Sequence, residues 1–518
     1  MSDWIDIISA HALEDEQKAV AAMLARAHVL EAHDATIRAR AHALIASQRA
    51  TGAANTVEAF LQSYGLSTHE GIAMMCLAEA LLRIPDATTA DDLIEDTFAT
   101  GNWKQHLGQS DSSLVNASTW ALMLTGSVLD LDAGDSLASW FGSLIKRSGE
   151  PVIRQALRAG MKFLGSQFVM GETVADAIKH ARDDEKKGYT ISYDILGEGA
   201  RTDAQAQGYV ASYLSGIREI AAASRAANLF ERPGISVKLS ALHARYTQTQ
   251  SHRVMAELLP RLKSILRVGM ECNIAVSLDA EEANRLELEL EIYQNLLEDP
   301  EFAEFDGIGF VLQAYQKRAV YVAEALCALA SRRARRIPVR LVKGAYWDSE
   351  IKHAQVMGLA GYSVFTRKEY TDVSYLACAE VLLKNAAHIY PQFATHNALT
   401  VATIITMAEQ HSVVADGFEF QRLHGMGESL HDQLVCLSAS RTDEGLTPKP
   451  PPHAARPAGY AQPEQPVELM VRRRDGRAEP EAEGRTRGSG SGGETPPHQN
   501  YRVRIYAPVG AHKDLLAY

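Results

Sequence analysis

Apolar and polar residues follow a helical pattern through the first third of the chain. From about residue 13 to about residue 170 apolar residues recur at helical spacing, as in DEQKAVAAMLARAHVL, residues 15–30. Ser67 with Glu70, and Thr89 with Asp92, have the spacing of capping boxes that begin helices. We find no strand pattern in this region. It is therefore predicted to be all-helical.

The pattern changes at about residue 189, where short apolar segments begin to alternate with amphipathic ones. Segments such as RVMAELLPRLKSIL, residues 253–266, have helical spacing between them. Strands alternating with helices predict an α/β fold, here a (β/α)8 TIM-like barrel preceded by a helical arm and domain. Periodicity alone leaves a doubly wound sheet open as the alternative. The eight predicted strands are YTISYDIL (189–196), GISVKLSAL (234–242), NIAVSLDA (273–280), GIGFVLQAY (307–315), PVRLVKGAYW (338–347), PQFATHN (391–397), GFEFQRLHGM (417–426) and YRVRIYAPVG (501–510).

Residues 440–500 break this alternation. They hold ten of the chain's 18 prolines and the run GRTRGSGSGGE, so they are predicted to be a disordered insertion between strands seven and eight. After the eighth strand only AHKDLLAY follows, which predicts a truncated last helix. We therefore expect the barrel to be open at that seam. The predicted division is an arm at 1–55, a helical domain at 56–170 and a barrel domain at 171–518.

Composition narrows the function classes. The net charge of −12, from 52 basic and 64 acidic residues, argues against a general nucleic-acid binder, and no specific DNA binding is expected. Five scattered cysteines argue against a disulfide framework or a zinc site and favour the reducing cytoplasm. The N-terminus does not resemble a signal peptide, and no apolar run reaches about 18 residues. The run SRRARR (331–336) is predicted to be a solvated helix end, with peripheral membrane contact as the alternative.

Candidate chemistry lies at the C-terminal ends of the predicted strands, where barrel active sites form. A single buried charge there is as readily a structural ion pair, but polar residues from seven of the eight strands predict a site. These residues are Lys238, Asp279, Gln313, Arg340, Lys343, Tyr346, His396, Asn397, Gln421, His424 and Tyr506.

The fifth strand, RLVKGAYW, carries an arginine and a lysine inside an apolar run. Alternation predicts that Arg340 and Tyr346 share one face, with Arg340 as a fixed cation and Tyr346 as a wall beside a ligand. Gly344 between them would let a flat ligand approach the backbone. Lys343 on the other face also permits a Schiff-base aldolase. We find no dinucleotide fingerprint after a strand, P-loop, HExxH or GxSxG motif.

Long motifs resemble those of one known family. They include SYDILGEGARTDAQA, SVKLSALHARY, LDAEEANRLELEL, GIGFVLQAYQKR, RLVKGAYWDSEIKHAQ, YPQFATHNA, EFQRLHGMGE and RIYAPVGAHKDLLAY. In this order they closely resemble the proline dehydrogenase half of the bacterial bifunctional proline utilisation flavoproteins. The resemblance covers roughly residues 55–435 and 501–518.

The resemblance implies a distorted (β/α)8 barrel that holds FAD. It further implies oxidation of L-proline to Δ1-pyrroline-5-carboxylate, with electrons passing to a membrane quinone as the first step of proline catabolism to glutamate. The arm in relatives serves oligomerisation, so a homo-oligomer is one expectation and packing of the arm on its own barrel is the other.

Residue roles follow from matching positions. Arg340 resembles the arginine beside the reactive flavin edge, Asp279 the active-site aspartate and Lys238 the lysine near the substrate carboxylate. Tyr346, Leu423 and Tyr506 would wall the proline ring. The matching flavin contacts are Ala280, Gln313, Val342, Lys343, Gly344, Ala345 and Trp347, and the contacts to the rest of FAD are Thr366, Arg367, Lys368, His396, Asn397 and Gln421.

The chain departs from the family in several places. It ends at Tyr518, before a pair of arginines that clamp the proline carboxylate in the family, and Glu198 resembles the glutamate that pairs with one of them. The ribbon-helix-helix segment of regulatory members and the aldehyde dehydrogenase half have no counterpart. A non-catalytic remnant that associates with related chains is therefore the alternative to an active enzyme.

Overall fold

The computed structural model describes residues 3–27, 29–51, 169–436 and 501–510. Its strands are short apolar segments, largely buried on both faces, as expected of a parallel sheet covered by helices. All eight predicted strands are present. They are β1 (Thr190–Ile195), β2 (Gly234–Lys238), β3 (Ala275–Asp279), β4 (Ile308–Gln313), β5 (Ile337–Val342), β6 (Ile389–Ala394), β7 (Glu419–Leu423) and β8 (Arg502–Val509). Each ends before its predicted end, and β5 and β6 begin one and two residues before their predicted starts.

Helices surround these strands, and several begin at a side-chain cap. The hydroxyls of Thr173 and Thr202 each accept a hydrogen bond, from the backbone N–H of Asp176 and of Gln205 respectively, at 3.1 Å. A π-helical turn, Val254–Leu258, joins the short helix Ser251–Arg253 to the helix Leu259–Cys272. The helices are α1 (Asp3–Ala10), α2 (Glu16–Leu24), α3 (Val29–Ala32), α4 (Asp34–Thr51), α5 (Val174–Lys186), α6 (Asp203–Ala223), α7 (Leu239–Leu242), α8 (Ser251–Arg253), α9 (Leu259–Cys272), α10 (Leu286–Glu298), α11 (Ala319–Arg332), α12 (Trp347–Val356), α13 (Lys368–Lys384), α14 (Ala398–Gln410) and α15 (Glu428–Cys436), with 3₁₀ turns at Gln248–Gln250, Ala283–Arg285 and Pro300–Phe302.

The eight described strands form a closed parallel barrel in chain order. This topology confirms the (β/α)8 barrel and excludes the doubly wound sheet. The expectation of an open seam is wrong, because β1 pairs with β8 along its whole length, from Thr190 opposite Arg504 to Ile195 opposite Val509. The barrel is closed at this seam by backbone pairing between these two strands.

Helices α1, α2 and α4 pack against the barrel helices. Ile5 and Ile8 of α1 belong to the main apolar core, and Ile37 and Ala41 of α4 pack against Ala402 of α14. The predicted helical character of the N-terminal region therefore holds for its described part. The capping boxes at 67–70 and 89–92, the insertion at 440–500 and the last helix at 511–518 lie outside the described residues.

The basic run at 331–336 differs from its prediction. Arg332 and Arg333 are exposed, but Arg335 is buried, and its Nε donates a hydrogen bond to Asp306 Oδ1 at 2.8 Å. The Arg336 guanidinium lies 5.2 Å from the centroid of the Tyr390 ring. The end of the run therefore anchors the base of β5 rather than presenting a solvated basic patch.

Polar side chains occupy part of the barrel interior, where bulky branched side chains usually dominate. Near the N-terminal ends of the strands, Glu419 Oε1 accepts hydrogen bonds from Arg504 Nε at 2.7 Å and from Gln392 Nε2 at 3.0 Å. These side chains are buried. A second polar layer lies nearer the C-terminal ends and forms the candidate site.

Candidate active site

Arg340 is the hub of the second polar layer. From β5 its Nη1 donates hydrogen bonds to Asp279 Oδ1 at 2.9 Å and to Ser236 Oγ at 3.0 Å, and its Nη2 donates to Ser192 Oγ at 2.9 Å. The guanidinium thus joins β5 to β1, β2 and β3 across the interior. The planar fork of arginine suits such a site, whereas a lysine ammonium has no fixed fork.

Lys238, at the end of β2, lies between two carboxylates. Its Nζ is 3.2 Å from Asp194 Oδ2 and 3.5 Å from Asp279 Oδ2. All three side chains are buried. Buried charges are tolerated when they are paired, so Lys238, Arg340, Asp194 and Asp279 form a charge-balanced group of two cations and two anions.

Tyr506 of β8 completes this group. Its hydroxyl lies 2.6 Å from Asp194 Oδ2 and 2.8 Å from Asp279 Oδ2, and its ring centroid lies 5.0 Å from the Arg340 guanidinium carbon. Burial, followed by the two carboxylates, raises the pKa of Tyr506 well above its ordinary value, so the hydroxyl keeps its proton. We call Asp194, Lys238, Asp279, Arg340 and Tyr506 the five-strand cluster, since they come from β1, β2, β3, β5 and β8.

The chain leaves β5 at Val342, earlier than predicted, so the expected alternation up to Trp347 is wrong. Gly344 has φ +137°, and a Cβ placed there would lie 2.4 Å from the Tyr315 ring. A positive φ and the packed tyrosine both require glycine here. Tyr346 then precedes the first residue of α12 instead of lying in the strand.

The segment after β5 forms part of the barrel mouth. Gly344, Ala345 and Trp347 are exposed, the Trp347 residue by 42%. The Ala345 N–H donates to Gln313 Oε1 at 3.2 Å, and the indole N–H of Trp347 donates to the Phe365 carbonyl at 2.8 Å. These bonds fix the segment against the end of β4 and against the residues that precede α13.

Other predicted contact residues lie around this mouth. Leu423 at the end of β7 is 43% exposed. Val342, Tyr346 and Ala280 are partly buried. Burial raises the pKa of Tyr346 above its ordinary value.

The predicted cationic contacts already have protein partners. Lys343 Nζ forms an ion pair with Asp372, whose Oδ2 also accepts a hydrogen bond from Lys368 Nζ at 3.0 Å. The Lys343 side chain therefore extends from the end of β5 to the first turns of α13 and lies outside the five-strand cluster. The Arg367 guanidinium carbon lies 5.7 Å from the Tyr370 ring centroid.

Thr366 meets the N-terminal arm. Its backbone N–H donates to Glu16 Oε1 at 2.6 Å and its hydroxyl donates to Glu16 Oε2 at 2.8 Å. Ala19 and Val20 of α2 pack against Phe365 next to it. Helix α2 therefore supports the loop that carries Thr366.

His396 and Asn397 follow β6. Burial lowers the pKa of His396 to about 4, so the ring is neutral near neutral pH. Its Nε2 accepts the Leu423 N–H at 3.1 Å, which assigns the ring proton to Nδ1. The Asn397 side chain caps α14 by accepting the Thr400 N–H at 3.0 Å.

Gln421 and His424 lie at β7. Gln421 points toward Glu419, to which its Nε2 donates at 2.7 Å, while its Oε1 has no partner among the described residues. His424 follows β7 rather than lying within it. Burial lowers its pKa to about 4.

Sequence reasoning missed Asp194, Ser192 and Ser236, which contact the predicted residues directly. For Asp194 the sequence carries the same signal as for Asp279, because each is an acidic residue within a short apolar strand. Glu198, beyond β1, has an Oε2 with no partner among the described residues, and burial raises its pKa to about 7. Across the described ranges no cluster of histidine, cysteine or acidic residues could hold a metal ion, and no helix is long and apolar enough to cross a membrane.

Two family models match the chain. Residues 177–518 match the proline dehydrogenase model, and residues 56–168 match the model described as the DNA-binding domain of proline dehydrogenase. The first match covers more than half of the chain and all eight barrel strands.

Similar proteins agree with this result. Over 386 residues the chain is 53% identical to the bifunctional protein PutA of Klebsiella aerogenes, covering 74% of this chain and 29% of that protein. It is 27% identical to proline dehydrogenase 1 of Bacillus subtilis (strain 168), covering 53% of this chain and 79% of that protein. A crystal structure of proline utilization A from Bradyrhizobium japonicum, solved as a point mutant, superposes with a TM-score of 0.64 at 39% identity, covering 98% of this chain and 44% of that one.

The chain thus spans under a third of the length of the PutA relative from Klebsiella aerogenes. The match to the family model nevertheless includes the whole barrel and the five-strand cluster. The chain belongs to the proline dehydrogenase family.

Proposed function

We propose that this chain is an FAD-dependent proline dehydrogenase that oxidises L-proline to Δ1-pyrroline-5-carboxylate. The observation that carries the proposal is the five-strand cluster, in which two cations and two carboxylates meet at the C-terminal side of the barrel. That is where barrel enzymes place their chemistry. Family membership supplies the reaction class.

The barrel mouth has the chemistry that FAD requires. Trp347, after β5, and Leu423, at the end of β7, are exposed large apolar side chains. Gly344 and Ala345 are also exposed and leave their backbone accessible. A flat aromatic ring system suits such surfaces, and cationic Lys343, with Arg367 and Lys368, suits a diphosphate. The Gln421 Oε1 and Arg340 Nε, which have no partner among the described residues, leave polar atoms for a ligand.

In this proposal FAD, when bound, supplies the hydride acceptor. The protein binds and orients the substrate: Lys238 attracts the proline carboxylate, while Tyr346, Leu423 and Tyr506 enclose the ring. Arg340 is a fixed cation that stabilises negative charge developing near it. Its hydrogen bonds to Ser192, Ser236 and Asp279 hold the guanidinium in place before the reaction.

The predicted contacts that already have protein partners require adjustment when FAD binds. Lys343 and Lys368 share Asp372, and Thr366 donates to Glu16. We propose that Lys343 contacts the flavin, and that Thr366, Arg367, Lys368, His396, Asn397 and Gln421 contact the rest of FAD. In this proposal the donors of Lys343, Lys368 and Thr366 turn from their protein partners when FAD binds. Because Nε2 of His396 accepts the Leu423 N–H, the ring donor of His396 is its Nδ1–H.

The wider role is proposed from the relatives. Electrons pass to a quinone, and the reaction is the first step of proline catabolism to glutamate, in a cytoplasmic protein with peripheral membrane contact. We retain the arm at 1–55, the helical domain at 56–170 and the barrel domain at 171–518 as functional units. Specific DNA binding is not part of the proposal, and the arm remains a candidate for homo-oligomer contacts.

A direct assay tests the proposal. The purified chain is loaded with FAD, supplied with L-proline and an artificial quinone, and the cyclic imine product is trapped with an aromatic aminoaldehyde. We expect product in proportion to proline consumed. A flavin-loaded chain that forms no imine would contradict the proposal.

A further inference from the structure

Asp194 has no role in the reaction proposed above, yet it lies inside the five-strand cluster. Its Oδ2 is 3.2 Å from Lys238 Nζ and 2.6 Å from the Tyr506 hydroxyl. It is buried, and it sits on β1, which pairs with β2 and β8, the strands that carry Lys238 and Tyr506. A buried carboxylate with no direct bond to Arg340 is not needed to neutralise that arginine, because Asp279 already does so at 2.9 Å.

The carboxylates of Asp194 and Asp279 differ in the cationic donors that surround them. Among the described residues, both carboxylates lie near the Lys238 ammonium and the neutral Tyr506 hydroxyl, but Asp279 also receives the Arg340 guanidinium and Asp194 does not. The Tyr506 hydroxyl has one proton and cannot donate fully to both carboxylates at once. Asp194 is therefore the less neutralised of the two anions.

The exposed fractions of the charged side chains indicate which of them a ligand entering the barrel contacts first. Lys238 is the most open at 11%, while Asp194 is 4% exposed. A ligand carboxylate that approaches Lys238 must compete with Asp194 for the ammonium. A ligand that also carries a ring ammonium gains from the same negative charge.

We infer that Asp194 is a specificity-determining residue that acts through its field, making the site select a cyclic amino acid over a cyclic carboxylate without nitrogen. This inference rests on the proposed function, since it takes Lys238 as the group that binds the substrate carboxylate. Asp194 contacts Lys238 and Tyr506 rather than the substrate, so it is a positioning residue.

The test compares two ligands in the flavin-loaded chain. The KM for L-proline is measured with an artificial quinone, and cyclopentanecarboxylate, which has the ring and carboxylate but no amine, is measured as a competitive inhibitor. In Asp194→Asn the ratio of the inhibition constant to KM is expected to fall about tenfold, because both ligands carry the carboxylate and only L-proline loses the attraction between the Asp194 anion and its ring ammonium. A purely structural role would change both constants alike and leave the ratio unchanged, which would overturn the inference.

Two further variants make the test complete. Asp203→Asn removes an exposed carboxylate on α6 and should leave the ratio as in the wild type. Tyr506→Phe removes the hydroxyl that partly neutralises Asp194, so the ratio should rise about threefold. If Asp194→Asn does not fold, an unchanged ratio in Tyr506→Phe overturns the inference by itself.

The proposed function can fail separately from this inference. A wild-type chain that binds both ligands in calorimetry but does not oxidise proline contradicts the proposed function alone. The ratio of the two dissociation constants then replaces the kinetic ratio, with the same expected fall in Asp194→Asn. Wild-type binding that does not favour L-proline over cyclopentanecarboxylate overturns the inference.

Discussion

Arg340 and Asp279 form an ion pair at 2.9 Å that joins β5 to β3 across the inside of the barrel. The pair is buried, and the same guanidinium also bonds Ser192 and Ser236. Removing one partner of a buried pair leaves the other charge without compensation, which is why the pair is costly to break. The geometry thus couples the stability of the barrel interior to the residue proposed to assist oxidation.

Arg340→Met is expected to lower kcat/KM for proline oxidation by about 10²–10³-fold, since a preorganised cation is lost. It should also lower the free energy of unfolding by about 3 kcal/mol, because Asp279 loses its guanidinium partner. Rates normalised to bound flavin, together with urea unfolding, measure the two effects separately. The matched control is Arg332→Met at the exposed end of α11, and a rate near that of the control in Arg340→Met would contradict the role given to Arg340.

Gly344→Ala is expected to destabilise the protein by more than about 2 kcal/mol, because the new Cβ meets the Tyr315 ring at 2.4 Å where φ is +137°. Gly358→Ala is the control for a positive φ in open space. Gly358 has φ +61° with no atom within 4 Å of the added Cβ, so it should cost only about 1 kcal/mol. Equal urea midpoints for the two variants would show that the Tyr315 contact does not matter.

Glu16→Ala removes the acceptor of both hydrogen bonds from Thr366. The amide hydrogen of Thr366 should then exchange with solvent faster, by about tenfold at most, because one backbone bond contributes about 1 kcal/mol. Lys18→Ala on the same helix is the control, since Lys18 pairs with Glu14 and not with the loop. Hydrogen exchange monitored by mass spectrometry measures both, and unchanged exchange in Glu16→Ala would mean that the arm does not hold this loop.

The pH dependence of stability should reflect buried histidines near β6 and β7. Burial lowers the pKa of His396 and His424 to about 4 and that of His431 to about 3, below the ordinary value of 6.5. The unfolded chain therefore binds more protons than the folded one below pH 6.5, and stability is lost as the pH falls from there toward about 4.

His431→Gln should reduce that loss by about 2 kcal/mol at pH 5, since each unit of pKa difference corresponds to about 1.4 kcal/mol. The glutamine amide can still donate to the Gly427 carbonyl, which His431 Nδ1 contacts at 2.9 Å. Unfolding free energies at pH 7 and pH 5 measure the effect, with the exposed His252→Gln as control. The same loss in His431→Gln and in the wild type would exclude this histidine as a source.

The barrel could be predicted from sequence because parallel strands are buried on both faces and therefore appear as short apolar runs. Lys238, Asp279 and Tyr506 attract notice because each interrupts such a run near its end. Asp194 interrupts β1 in the same way and was missed, since its partners Lys238 and Tyr506 lie 44 and 312 residues away. Only the closed barrel brings these positions together.

Local backbone geometry accounts for the remaining differences. The pattern of RLVKGAYW predicts one strand, but the chain turns at Gly344, where a positive φ cannot be recognised from the identity of the residue alone. Lys343 consequently faces Asp372 of α13, 29 residues further along the chain. The seam is closed, contrary to expectation, because β1 and β8 pair through their backbones.

The most direct test of the central claim is the visible spectrum of the purified chain before and after L-proline is added without air. We expect flavin absorption bands that bleach on addition of proline in the wild type, and that bleach far more slowly in Arg340→Met. Flavin bands that persist in the wild type with proline present would contradict the claim that the five-strand cluster supports proline oxidation in this chain.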